Sequence, residues 1–199
     1  MNASLTLLVL WLMISPLARG SEALVVGGLS PDQTMKVMIR ATGDLPAGEI
    51  RAADKKEPLF EFDAGGYASF EAAKDKASTA ALWRPDSRAV AVMTRTTKRS
   101  TDVKLFTIAG SKVTKVQMPD FFAGILKDFG VTEVWRCAFE RPLRWLENGD
   151  LVLHVSGDCV INSGPQEERT KWFEYEITVS PASGKIVDSK QTLVRLKNG

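Results

Sequence analysis

The chain has 199 residues, with 26 Lys or Arg against 24 Asp or Glu, a net charge of +2 and 44% hydrophobic residues. So mild a balance argues against a dedicated nucleic-acid binder, whose basic surface would be stronger, and the ordinary composition shows no disordered or low-complexity tract. Two cysteines and a single histidine, His154, are too few ligands for a structural zinc site, so no metal or other cofactor is expected.

The N-terminus predicts export. Leu5 to Ile14 is an almost unbroken apolar run ended by Ser15-Pro16, and small residues then offer cleavage after Gly20 or after Ala23. This is the layout of a secretory signal peptide, although no Lys or Arg precedes the run. The run is short for a membrane span, and no later stretch is apolar enough to be one. No Cys follows it, which argues against a lipoprotein anchor. The organisation expected is a signal peptide over 1–23 and one β-rich domain over 24–199, placed in the periplasm or outside the cell.

In chain order, the turn Ser30-Pro31-Asp32 feeds a strand from Met35 to Ala41, and Gly43 to Gly48 breaks it. Glu49–Ala53 and Leu59–Phe62 are short strands. Ser69 to Ala77 reads as a short helix with Ser69 as N-cap. Ala80–Trp83 is an inner strand and Pro85-Asp86-Ser87 a second turn. The apolar run Ala89–Met93 reads as a strand buried on both faces. A polar loop follows over Thr94–Thr101, then strands at Val103–Ile108 and Val113–Met118. Asp120 starts a helix with Phe121, Phe122, Ile125, Leu126 and Phe129 on one stripe, ended by Gly130, and that stripe reads as core packing. Beyond Val131, strands are expected up to the Asn148-Gly149 turn, from Leu151 to Val155, from Trp172 to Val179, and from Ile186 to Leu196. A long polar loop spans Asp158 to Arg169.

A chain folding back at Asn148-Gly149 sets Cys137 opposite Cys159. In an oxidising compartment this pair is expected to form a disulfide, worth about 3 kcal/mol through the loop it closes.

One pattern recurs. Ser30-Pro31-Asp32 before Met35–Ile39, Arg84-Pro85-Asp86 before Ala89–Met93, and Leu146-Glu147-Asn148-Gly149-Asp150 before Leu151–Val155 are each a polar turn leading into an apolar strand. Trp83-Arg84-Pro85-Asp86-Ser87 with its strand, followed by Asp102-Val103-Lys104-Leu105-Phe106, resembles the TolB-like and WD-type propeller repeats. Here Arg84 stands for the family's Ser and Ser87 for its Gly. The resemblance implies three blade-like units, at about 29–62, 82–118 and 131–196. A closed propeller needs at least about four. The fold class expected is therefore mainly β, with antiparallel meanders in an incomplete propeller-like stack and one or two short helices over the open edges. A β-sandwich or small barrel is the alternative.

Chemistry is thinly represented. No nucleophile elbow, phosphate loop or dinucleotide fingerprint occurs. Pro31, Asp32, Pro85 and Asp86 read as turn residues, Trp83 and Trp145 as core, and His154 as a buried, hydrogen-bonded ring. The most suggestive surface is the basic tip Arg95-Thr96-Thr97-Lys98-Arg99-Ser100, in which Arg95, Lys98 and Arg99 could meet an anion or a partner. The functional expectation is an exported, non-catalytic β-repeat protein binding a protein partner or anionic ligand through its loops. A small secreted hydrolase using carboxylates such as Asp150 and Asp158, or an envelope structural protein, are the alternatives.

Overall fold

The computed structural model describes residues 22–42, 45–66, 74–131, 134–161 and 169–197. The expected signal peptide and most of the Ser69–Ala77 helix lie outside them. Among the described residues there are twelve strands and one helix. They form three consecutive four-stranded meanders: β1 (Glu22–Leu29), β2 (Met35–Thr42), β3 (Leu45–Ala52) and β4 (Pro58–Asp63); β5 (Thr79–Trp83), β6 (Ala89–Thr97), β7 (Ser100–Ala109) and β8 (Lys112–Val116); β9 (Val134–Trp145), β10 (Leu151–Ile161), β11 (Arg169–Ser180) and β12 (Lys185–Lys197). The fold is mainly β and open. Each meander is antiparallel, and parallel contacts join them: Val26 with Ala80 between β1 and β5, and Ser100 with Ala138 and Thr101 with Phe139 between β7 and β9.

The three recurring turns lead into β2, β6 and β10. Ser30 N donates to Met35 O and Arg84 N to Ala89 O, both at 2.9 Å; the third turn closes one residue sooner, with Leu146 N on Asp150 O at 2.8 Å. Each turn needs one residue at positive φ: Gln33 and Ser87 at 60°, and Gly149 at 86°. Asp32 Oδ1 accepts from Thr34 N at 3.1 Å, and Asp86 Oδ1 from Arg88 N at 3.0 Å, so both acids brace turns. Bonds from Ser30 Oγ and Thr34 N hold the Asp32 carboxyl down to about 2.

Within the middle meander, β6 and the central part of β7 are buried on both faces. Val90, Val92 and Phe106 pack with Val25, Val37, Ile39, Ile50 and Phe62 of the first. Ala91, Met93, Val103 and Leu105 pack with Leu153, Val155, Phe173 and Ile177 of the third. The helix α1 (Phe121–Asp128) plugs this second junction. Its N-cap Asp120 accepts from Phe122 and Ala123 N–H groups, and Phe122 and Phe129 lie against Phe173 with ring centroids at 6.2 and 5.9 Å. The predicted stripe is thus core.

Two tryptophans repeat one tie between meanders. Trp83 Nε1 donates to Gly28 O, and Trp145 Nε1 to Leu82 O, each at 3.1 Å. In the first repeat Leu29 holds the equivalent position and is exposed. The outward faces are polar. On the first meander Arg40 bridges Glu49 (2.5 Å) and Glu61 (3.1 Å), and Arg51 bridges Glu49 and Glu22. On the third, Arg144 meets Glu176 at 3.1 Å, and Glu174 meets His154 at 3.3 Å and Trp172 Nε1 at 2.8 Å. Neither face offers the apolar surface used at the two inner junctions.

Several expectations need correction. Thr94–Thr101 is not a loop: β6 and β7 stay paired through Thr94–Asp102 and Arg95–Thr101, so only the tip turns. Pro46 and Gly48 lie inside β3. Lys74–Ser78 is a turn organised by Asp75, which accepts from Ala77 N and Ser78 Oγ. His154 is half-buried on a polar face rather than in the core.

The structure holds no Cys137–Cys159 disulfide, and both cysteines are thiols. Trp145–Leu151 and Arg144–Val152 pair as the turn dictates. The register then slips at Pro142–Leu143, and again between Gly157 and Cys159, which leaves Cys159 opposite Val134. Cys137 instead sends its N–H to Asp158 Oδ1 at 2.9 Å, with its Sγ 3.3 Å from the same oxygen. Gly157 permits this approach, since a Cβ there would lie 2.6 Å from Cys137 O. Cys159 is a buried thiol, and burial pushes its pKa up.

Candidate functional site

The bulge that displaces the cysteines also builds a cleft. β9 pairs Arg144 with Val152 and Pro142 with Leu153, so Leu143 is the extra residue. Pro142 has no N–H to give a ladder, and a bulge re-aims the side chain it carries. Leu143 is 38% exposed and lines a cleft of about 530 Å3 between β9 and β5. At one end β9 is held to β7 by two backbone pairs, and at the other Trp145 is tied to Leu82; between them β9 stands off from β5. Ala80, Leu82 and Met93 provide the apolar lining, Arg141 and Pro142 stand with Leu143 on the β9 side, and the turn Asp75–Ala77 closes one end. The volume and the mostly apolar lining suit a small-molecule site.

The predicted basic tip stands beside this cleft and is partly committed to structure. Arg95 donates from Nη2 to Lys98 O at 2.9 Å and from Nη1 to Ser78 Oγ at 3.3 Å. Ser78 Oγ in turn donates to Asp75 Oδ2 at 2.7 Å, and this bond, with the Ala77 N–H, holds the Asp75 carboxyl below its usual range. Arg95 therefore braces its own hairpin and faces the Asp75 charge. Lys98 and Arg99 are exposed, and Arg99 O accepts from Ala138 N at 3.1 Å. The fold brings Arg95 to the cleft's closing turn and leaves Lys98 and Arg99 at the tip.

Asp150 and Asp158 are not brought together. Asp150 belongs to the third turn, bonded to Asn148, whereas Asp158 is buried against Cys137. Eight residues of extended β10 separate them, roughly 25 Å, far beyond the roughly 5–9.5 Å of a glycosidase pair.

A different acid pair does meet. Thr101 Oγ1 donates to Glu140 O at 2.8 Å and accepts from Glu140 N at 3.1 Å, so a side chain continues the β7–β9 ladder. The Glu140 carboxyl then accepts from Val103 N at 2.9 Å. Burial, together with the hydrogen-bonded Asp102 carboxylate, pushes Glu140 up to about 8. Asp102 is paired with Lys104 at 2.8 Å, and Lys104 Nζ also reaches Thr94 Oγ1. These groups line a second, smaller cleft of about 350 Å3 where β8 and β9 part. Glu140 and Asp102 touch, which leaves no room for a substrate between them, and the pair serves as a joint between the second and third meanders.

Sequence reading found neither the cleft nor the joint. Both arise where β9 crosses from β7 towards β5, a parallel contact with no local signature. Pro142 within an otherwise strand-like run was the one available hint.

No protein-family model matches this chain, and no curated protein does. Among solved structures it is similar to a chain from a structural and mechanistic study of two prolyl endopeptidases, at 14% identity and a TM-score of 0.36. That match covers 85% of this chain and 28% of the other, and a likeness so slight carries no argument about fold or activity.

Proposed function

We propose that this is an exported, non-catalytic protein of blade-like β repeats that holds a ligand or a partner's segment in the cleft between its second and third meanders. The observation that carries the reading is Leu143, an apolar bulge residue aimed into a cleft floored by Leu82 and Met93. The lining holds neither a Ser, Cys or His nor a pair of facing acids, and this favours binding over hydrolysis. Export rests on the N-terminal apolar run alone. The resemblance to TolB-like repeats is supported by three meanders with matching turns and by the repeated tryptophan tie.

Native mass spectrometry of the protein, gently purified from its own compartment, tests this reading. A retained molecule that disappears in Leu143→Asp supports it. A molecule retained equally by that variant places binding elsewhere.

A further inference from the structure

Resting on that cleft reading, we propose that the occupant is a small organic anion with an apolar body: one carboxylate, sulfonate or phosphate head on a short hydrocarbon chain. The floor dictates the body. Ala80, Leu82, Met93, Pro142 and Leu143 present carbon, and about 530 Å3 accommodates a molecule of drug size.

Charge at the rim dictates the head. Three charged side chains line the cleft: Asp75, Lys76 and Arg141. Asp75 is already engaged by the Ala77 N–H and by Ser78, and Arg95 reaches the same serine hydroxyl. Arg141 and Lys76 are exposed, and neither side chain makes a hydrogen bond or ion pair among the described residues. Glu140, next in sequence to Arg141, lines the other cleft and is bonded to Val103 N. Its carboxyl is committed there and makes no ion pair with Arg141. Two unspent cations therefore stand over an apolar floor. A guanidinium binds a carboxylate in two-point fashion, while a neutral amphiphile would gain nothing from either cation and a cationic one would be repelled by both.

Calorimetric titration of the full protein with octanoate, octanamide and octylammonium is the test. One-site binding of octanoate is expected, about tenfold or more tighter than octanamide, with no binding of octylammonium. Octanoate should shift the Met93 methyl resonance, since Met93 lines the cleft. Arg141→Gln should bring octanoate down to the octanamide affinity. Leu143→Ser, at a position 38% exposed, should remove the advantage of octanoate over butanoate, with circular dichroism checking that the fold is kept. Equal affinity for octanoate and octanamide would overturn the anionic class while leaving the cleft reading intact. If none of the three binds, or if the Met93 methyl is unmoved on binding, the cleft reading falls as well.

Discussion

The indole of Trp145 donates its Nε1 hydrogen to the carbonyl oxygen of Leu82, 3.1 Å away and 63 residues back in the chain. Trp83 makes the same bond to Gly28, two positions before the first turn just as Leu82 is two before the second. One bond thus fixes how each meander seats on the last, and its recurrence marks the three units as one structural repeat. Replacing either tryptophan with Phe keeps the ring and removes the donor. Each change should cost about 1 kcal/mol, and Trp83→Phe should cost the more because Trp83 is the more buried. Urea unfolding monitored by circular dichroism measures both; equal, negligible losses would deny the tie any structural weight.

The joint at Glu140 gives stability a pH dependence with a definite sign. In the folded protein its carboxyl is raised from 4.5 to about 8. Below about pH 4.5 both folded and unfolded states carry the proton and this group costs nothing. Between about 4.5 and 8 the unfolded chain loses the proton while the folded chain keeps it, so stability falls as pH rises. Above about 8 the loss is complete. Glu140→Gln keeps an acceptor for Val103 N–H and removes the charge. It should therefore be more stable than the wild type at pH 8 and show a flatter profile from pH 5 to 8. A profile that this variant leaves unchanged would mean the joint is not the source.

The local parts of this fold were legible and the non-local parts were not. The turns at Pro31, Pro85 and Asn148 carry their own chemistry, and the strands after them alternate or run apolar, so β2, β6 and β10 could be read directly. The Asp120 cap and Phe-rich stripe likewise specified α1. By contrast β1 overlaps the expected cleavage region and is absent from the strands expected from sequence. The cysteines are not paired because two irregularities, both invisible in the turn arithmetic, shift the register: the bulge at Leu143 by one residue, and the step between Gly157 and Cys159 by two more. The Glu140–Asp102 joint and the cleft depend on where a parallel strand lands, and that is decided by packing across the second junction rather than by any motif.

The thiols offer a direct check of that register. Cys159 lies opposite Val134, and Cys137 is bonded to Asp158. Alkylation of the denatured, unreduced protein should label both cysteines, giving two adducts by mass spectrometry. An intact Cys137–Cys159 disulfide would contradict the pairing between β9 and β10 at this end.

The two possible cleavage sites can be separated by what β1 does. Glu22 binds Arg51 through two bonds of 3.0 and 2.9 Å, and Ala23 is buried in the first core. Arg51 holds the Glu22 carboxyl below its usual range. Cleavage after Ala23 would discard both residues and leave Arg51 with only Glu49. If the chain is exported as proposed, the mature protein is expected to begin at Ser21, and Glu22→Ala in it should lower stability by about 0.2–1 kcal/mol, since Glu22 is 40% exposed although Arg51 is buried. N-terminal sequencing settles the site; a start at Leu24 would contradict the expectation.

The central claim is that the cleft beside Leu143 is where this protein meets its ligand or partner. A photo-crosslinking side chain placed at Leu143, compared with one at Lys112 in the distant β7–β8 hairpin, tests it within the native compartment. The account predicts one reproducible adduct at position 143, reduced by Arg141→Gln, and none at position 112. Adducts of equal yield at both positions, or none at 143, would contradict it.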